Sequence, residues 1–147
     1  MMSTIAKTFE KVLESRLTAW CDRVGALSDL QGGFRAGRST LDQYFVLTEV
    51  AAMHKERGLP LYMAFIDVRK AYDRVWRPGL WYKLGLRGLS PRFLRLLQTM
   101  YKSVTRSVQV NSQLTSRFNV DLGVPQGAVL SPTLYACLLY TSDAADE

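Results

Sequence analysis

Met63-Ala64-Phe65-Ile66-Asp67-Val68-Arg69-Lys70-Ala71-Tyr72-Asp73-Arg74-Val75 is the stretch on which the reading of this chain turns. The apolar run from Leu61 to Ile66 ends on a carboxylate, Asp67, and the pattern then lengthens to that of a helix starting near Arg69 or Lys70. The spacing predicts a strand with Asp67 at its mouth, facing a cleft as strand ends in α/β sheets do. A carboxylate drawn out of water needs a cation, and a divalent metal is the obvious candidate. Tyr72 and Asp73 fall in the first turns of the predicted helix, where the helix dipole favours negative charge. The same spacing also fits a plainer arrangement, in which Asp67 caps the helix and Asp73 pairs with Arg69, Arg74 or Arg77.

Two further segments flank this centre. Upstream, Gln31-Gly32-Gly33-Phe34-Arg35-Ala36-Gly37-Arg38 holds three glycines and two arginines, a loop whose backbone and guanidinium groups can approach phosphates closely. An exposed turn has the same composition. Ser39 and Asp42 form a capping-box pattern, opening a helix that carries Leu41, Tyr44, Phe45, Val46, Leu47, Val50 and Met53 until Gly58 and Pro60 stop it. Downstream, Gly123-Val124-Pro125-Gln126-Gly127 reads as a turn, and Ser131-Pro132 opens a helix with Leu134, Tyr135 and Leu138 at core spacing.

The remaining segments are ordinary helix and hairpin signals. Ser3 or Thr4 caps an amphipathic helix whose apolar stripe is Ile5, Phe9, Val12 or Leu13, Leu17 and Trp20, with Lys7, Glu10, Lys11, Glu14 and Arg16 on other faces. The helix begun at Ala71 to Val75 is expected to be interrupted by Pro78 and Gly79, with a further apolar segment at Leu80, Trp81, Leu84 and Leu86. Ser90-Pro91 starts another helix, apolar at Phe93, Leu94, Leu96, Leu97, Met100 and Tyr101. Arg106 to Val110 alternates, turns at Asn111, Ser112 and Gln113, and returns through Phe118 and Val120 as a hairpin.

Composition limits the function classes. With 147 residues, 48% of them hydrophobic, the chain is about one globular domain. Its net charge of +6 is concentrated in the middle: Lys55 to Arg117 holds 13 Lys and Arg against three acids, a local balance of +10. A basic middle suits a polyanion, and a solvated basic face has the same composition. Cys21 and Cys137 look too few and too scattered for a disulfide framework or a zinc site, which favours a reducing compartment. His54, the single histidine, rules out a histidine cluster and is expected at the surface. No signal peptide or membrane-spanning run is visible, so an intracellular protein of the nucleus or cytoplasm is expected.

Taken together and in this order, the three segments resemble the reverse transcriptases of non-LTR retrotransposons, over about Ser3 to Leu139. The resemblance implies an α+β (α/β) fold, a partial right-hand polymerase that is helix-rich with a small sheet and a hairpin. It divides the chain into a fingers side (1–60), palm with the first catalytic motif (61–104), hairpin (105–122), second polymerase motif with palm helix (123–140) and an aberrant tail (141–147). The implied activity is RNA-directed DNA synthesis by nucleotidyl transfer with two divalent ions, Mg²⁺ or Mn²⁺, on an RNA template with a DNA primer and dNTP. Asp67 matches a catalytic aspartate, Val68 the neighbouring carbonyl ligand, and Tyr72 the ring that discriminates against a 2′ hydroxyl. Gln126 and Gly127 match positions near the nascent base pair, and Arg35 and Arg38 match arginines facing the triphosphate or template. Arg69, Lys70, Arg74 and Arg77 are expected to hold nucleic acid through phosphates.

The family continues to a hairpin bearing paired aspartates, and this chain has no Asp-Asp pair. Asp143 and Asp146 lie in a small acidic tail with no apolar strand before them. The expectation is therefore a fragment, truncated before that motif and without a thumb, whose amino terminus is also incomplete, poorly stable and inactive by itself. The alternatives are a noncatalytic nucleic-acid-binding fragment and a nonfunctional relic of a retroelement.

Overall fold

A computed structural model describes residues 3–139. The acidic tail from Thr141 onward lies outside the described residues. Helix α1 spans Thr4–Val24, and Ser3 caps it by accepting a hydrogen bond from the Ala6 N–H. It ends where Gly25 takes a left-handed conformation and the Ala26 N–H bonds back to the Cys21 carbonyl. Its buried side is Glu10, Leu13, Leu17, Trp20 and Cys21, whereas Ile5 and Phe9, at the predicted start of the stripe, are exposed. Burying Glu10 corrects its expected placement on a polar face. Its Oε2 accepts from the Val129 N–H at 2.7 Å, so the carboxylate is satisfied inside the fold.

Helix α2, Thr40–Glu56, begins at the predicted capping box: Asp42 N–H donates to Ser39 Oγ, and Ser39 N–H donates to Asp42 Oδ2. None of its residues is buried. The segment 59–71 that follows contains no strand. The predicted central strand over Leu61 to Ile66 is thus not formed, and Tyr62, Phe65 and Ile66 point into solvent at 83–91% exposure. A strand needs a neighbour to receive its backbone hydrogen bonds, and no described strand pairs with this segment.

The helix expected from Arg69 or Lys70 is also corrected. A short 3₁₀ turn, Tyr72–Arg74, comes first, and α3 runs from Arg77 to Leu86. Pro78 and Gly79 lie in its first turn, so they open the helix rather than interrupt it, as proline without an N–H does at a helix start. Helix α4, Pro91–Lys102, starts at Ser90-Pro91 as predicted. The hairpin is also where the sequence puts it. Strand β2 (Gln109–Val110) pairs with β3 (Gln113–Leu114) across Asn111 and Ser112, both with positive φ, as a two-residue hairpin turn requires. Farther out, β1 (Thr105–Arg106) pairs with β4 (Phe118–Asn119). Helix α5, Ser131–Leu139, follows the Pro-Gln-Gly turn.

The architecture is therefore helix-rich with two small antiparallel ladders. Helix α5 packs on α3 and α1, and α3 packs on α4. Leu13 and Leu17 of α1, Leu80 and Leu84 of α3, Leu97 of α4, and Leu130 and Leu134 at α5 form the centre of one core. Residues at three- and four-residue spacing on each helix meet there, which is what fixes the turn before α5 against the 3₁₀ turn.

Candidate active site

Backbone hydrogen bonds join the first and second motifs. The Val124 N–H donates to the Tyr72 carbonyl at 2.8 Å, and the Gly123 N–H donates to the Val75 carbonyl at 2.9 Å. Gly123 has φ +79°, and a Cβ there would lie 2.7 Å from the Tyr72 carbonyl oxygen and 2.8 Å from the Asp73 Cα. Only glycine allows this approach, so Gly123 is a site residue that spacing alone did not single out. Its position just ahead of Val-Pro-Gln-Gly was the available signal.

Side chains extend the junction. Gln126 Nε2 donates to Asp73 Oδ2 at 3.3 Å, and Arg106 Nη1 of β1 stands 3.6 Å from Asp73 Oδ1. The partners weighed for Asp73 from sequence, Arg69, Arg74 and Arg77, are replaced by Arg106, which only the folding back of the hairpin brings near. Ser131 Oγ donates to the Pro125 carbonyl at 2.7 Å, tying the turn to the start of α5. Gly127 has φ +80° with open space around its α carbon, so conformation rather than close approach calls for glycine there. A cavity of about 780 Å³ adjoins the junction, lined among others by Phe9, Glu10, Tyr101, Arg106, Pro125 and Gln126.

Three aromatic rings line up on the other side. Tyr72 lies 5.3 Å from Tyr135 of α5 and 6.4 Å from Phe34 of the glycine-rich loop, ring centre to ring centre. The loop thus reaches the first motif through Phe34, a contact the sequence reading did not assign. Burial, and secondarily the neighbouring Tyr135, raises the Tyr72 hydroxyl above its ordinary pKa. Burial and the negative charge of Asp67 do the same for Tyr135.

Asp67 and Val68 are exposed, in the irregular segment before the 3₁₀ turn. Among the described residues no group of three or more His, Cys, Asp or Glu side chains comes together. One carboxylate and one adjacent carbonyl fall short of the six oxygens Mg²⁺ takes, so these residues do not by themselves fit a resident ion. Arg35 and Arg38 both approach Asp29, each at 3.6 Å, and Arg35 Nη1 also donates to the Ser28 carbonyl at 2.7 Å. Arg69, Lys70 and Arg74 are exposed.

Arg77 departs from the expected phosphate-binding set. It is buried, and its guanidinium donates to the carbonyls of Gly123 (2.7 Å), Tyr101 (2.9 Å) and Leu122 (3.2 Å), with its Cζ 5.5 Å from the centre of the Tyr101 ring. Desolvation lowers its pKa, and the carbonyl dipoles satisfy the charge. The group clamps α3 to the segment leading into the second motif, and its burial and its three carbonyl partners, rather than a phosphate, account for its position.

The protein-family model described as reverse transcriptase (RNA-dependent DNA polymerase) matches residues 1–144. The chain belongs to the reverse transcriptase family. It is 33% identical over 143 residues to a probable RNA-directed DNA polymerase from transposon X-element of Drosophila melanogaster, covering 97% of this chain and 15% of that protein. It is 30% identical over 147 residues to the RNA-directed DNA polymerase from mobile element jockey of Drosophila funebris, covering 100% of this chain and 16% of that protein. The jockey polymerase of Drosophila melanogaster is 32% identical over 143 residues. This reverse transcriptase segment spans about 15% of the length of the curated relatives it matches. No helix among its described residues is long and apolar enough to cross a membrane.

Proposed function

We propose that this chain is the fingers side (1–60) and part of the palm (61–104 and 123–140, with a hairpin at 105–122 between them) of a right-hand RNA-directed DNA polymerase from a non-LTR element, acting in the nucleus or cytoplasm. The whole enzyme extends a DNA primer on an RNA template with dNTPs, and this segment by itself does not. The observation that carries this reading is the backbone pairing of Gly123 and Val124 with Val75 and Tyr72, which puts the two motifs on one surface. On that surface Tyr72 acts sterically against a 2′ hydroxyl. Gln126 and Gly127 lie beside the nascent base pair, and Arg35 and Arg38 exchange Asp29 for phosphate oxygens. The Asp67 carboxylate and the Val68 carbonyl would be this segment's share of the ligands to Mg²⁺ or Mn²⁺, with the ions held mainly by substrate phosphates. Bound there, such ions would supply activation of a primer hydroxyl and charge stabilisation at the leaving pyrophosphate.

The exposure of Arg69, Lys70 and Arg74 also favours a second reading, a noncatalytic nucleic-acid-binding fragment. One experiment separates the two. The purified chain is titrated with a DNA primer annealed to RNA at several salt concentrations, and Mn²⁺ binding in the presence of that duplex and dNTP is followed by electron paramagnetic resonance. Neutralising Arg69, Lys70 and Arg74 to Gln is expected to lower the salt slope by about one for each residue that meets a phosphate. Asp67→Asn should leave duplex binding intact and alter the Mn²⁺ signal of the protein–duplex–dNTP mixture relative to the parent chain. Unchanged Mn²⁺ binding in that variant leaves the noncatalytic reading, and salt-independent duplex binding defeats both.

A further inference from the structure

Cys21 and Cys137 are not scattered in space. Lying 116 positions apart in sequence, one near the end of α1 and one in α5, they bring their sulfur atoms to 3.5 Å as free thiols. Both are buried, at 2% and 6% exposure, but they are not equally screened. Cys21 lines a cavity of about 730 Å³ together with Asp22, Leu27, Asp29 and Arg35. It also lines a narrower cavity of about 60 Å³ with Thr18, Phe34 and Thr133. Cys137 lines neither.

We propose that Cys21 and Cys137 are an oxidisable dithiol, a modification site at which a small peroxide entering by the cavity beside Cys21 produces a disulfide joining α1 to α5. The hydrogen bond from Cys137 favours the Cys21 thiolate, and both that contact and burial disfavour the Cys137 thiolate. Cys21 Sγ is therefore the attacking atom. It takes one oxygen of hydrogen peroxide as the O–O bond breaks, giving a sulfenic acid and one water. Cys137 Sγ then attacks the Cys21 sulfur, the S–O bond breaks, and its oxygen leaves with two protons as a second water. The dithiol loses two electrons and the peroxide gains two. The sulfurs need to close from 3.5 Å to the roughly 2 Å of a disulfide. Rotation about the side-chain bonds of two facing residues supplies a movement of that size.

The consequence is a covalent link between the amino-terminal helix and the helix that follows the Pro-Gln-Gly turn. Closing so long a loop restricts the unfolded chain, so oxidation should raise the melting temperature by several degrees.

The test uses the purified chain, treated with hydrogen peroxide in native buffer and, in parallel, in urea. Intact mass spectrometry and thiol titration follow the reaction. The native wild-type chain is expected to lose two hydrogens and both thiols as a monomer, roughly tenfold faster than it does in urea, because the fold holds the two sulfurs together. Cys137→Ser should instead stop at an added oxygen on Cys21, and Cys21→Ser should react more slowly than Cys137→Ser. Equal rates with and without urea overturn the proposal. So does a native product consisting of oxygen adducts or intermolecular dimers in the wild-type chain. If either variant misfolds, the wild-type comparison alone decides.

Discussion

The four helices α1, α3, α4 and α5 and the stretch from Ser39 to Val68 are both rich in large apolar side chains, yet only the first group builds a core. Leu80, Leu97 and Leu134 have no exposed surface, whereas Leu41, Tyr44, Phe45 and Val46 of α2 are all more than half exposed. The difference is not hydrophobicity. Leu13 and Leu17, Leu80 and Leu84, or Leu130 and Leu134 fall four residues apart on their helices or just before them, so each pair makes one face that another such face can cover. On α2 the consecutive Tyr44, Phe45, Val46 and Leu47 spread around the helix, and the run from Leu61 to Ile66 has no strand beside it. Apolar content supplies a driving force, and a core requires a partner of matching shape.

Paired truncations in the two regions should differ most. Leu134→Ala and Leu80→Ala should each cost about 3 kcal/mol in urea unfolding, the usual result of removing a buried leucine side chain. Phe45→Ala and Ile66→Ala should each fall within about 0.5 kcal/mol of the parent, because the removed atoms already touch water. Phe45→Ser should in addition keep the chain monomeric at higher concentration, since exposed apolar patches drive association. If Phe45→Ala costs as much as Leu80→Ala, α2 is covered in solution and the contrast fails.

Local signals explain what the sequence disclosed. The caps at Ser3 and Ser39, the proline start at Pro91, the hairpin turn at Asn111-Ser112 and the helix after Ser131-Pro132 depend on a few adjacent residues, and each is in place. The strand at Leu61 to Ile66 failed because strand formation is settled by a neighbour distant in sequence, which composition does not reveal. Glu10 and Arg77 depart from expectation for a related reason. Polar residues read as surface in a local pattern, yet their partners Val129 and Gly123 lie 119 and 46 positions away, and Cys21 and Cys137, scattered in sequence, meet across 116 positions. At the candidate site, the motif residues Tyr72 and Gln126 were legible by their resemblance to a family. The residues that join the motifs, Gly123, Arg106 and Phe34, were not.

Within the packed half, one tyrosine allows a pH test of intermediate size. The Tyr101 hydroxyl is buried without a hydrogen-bond partner, and burial, with Glu10 contributing, pushes its pKa up to about 12 from 10.0. The unfolded chain ionises this group near its ordinary value, so its contribution is fully present below pH 10 and is lost as pH rises toward 12. That loss should be on the order of 2 kcal/mol, read as a falling urea midpoint across alkaline pH. Tyr101→Phe should flatten the fall. At neutral pH it should be nearly neutral in stability, because the hydroxyl has no hydrogen bond to lose. No measured position in α2 should reproduce the effect, since none of its residues is buried.

The smallest effect tests the uncovered half by itself. With no buried residue, α2 rests on helix propensity and on the reciprocal hydrogen bonds of Ser39 and Asp42. Those bonds, first from the Ser39 backbone N–H and then from its side chain, hold the Asp42 carboxyl below its ordinary value of 3.8. A carboxylate with a depressed folded pKa stabilises above its unfolded pKa and loses that contribution as pH falls through the folded one. Acidification below about pH 4 should therefore fray the first turn of α2, seen as faster amide hydrogen exchange at Leu41 to Tyr44 after correction for intrinsic rates. Ser39→Ala should produce the same fraying at neutral pH, since it removes the acceptor for the Asp42 N–H. Neither change should move the urea midpoint of the α1, α3, α4 and α5 core, because α2 shares no buried residue with it. A shifted midpoint would mean that the capping box is coupled to the core, and the two regions would then be one cooperative unit rather than two.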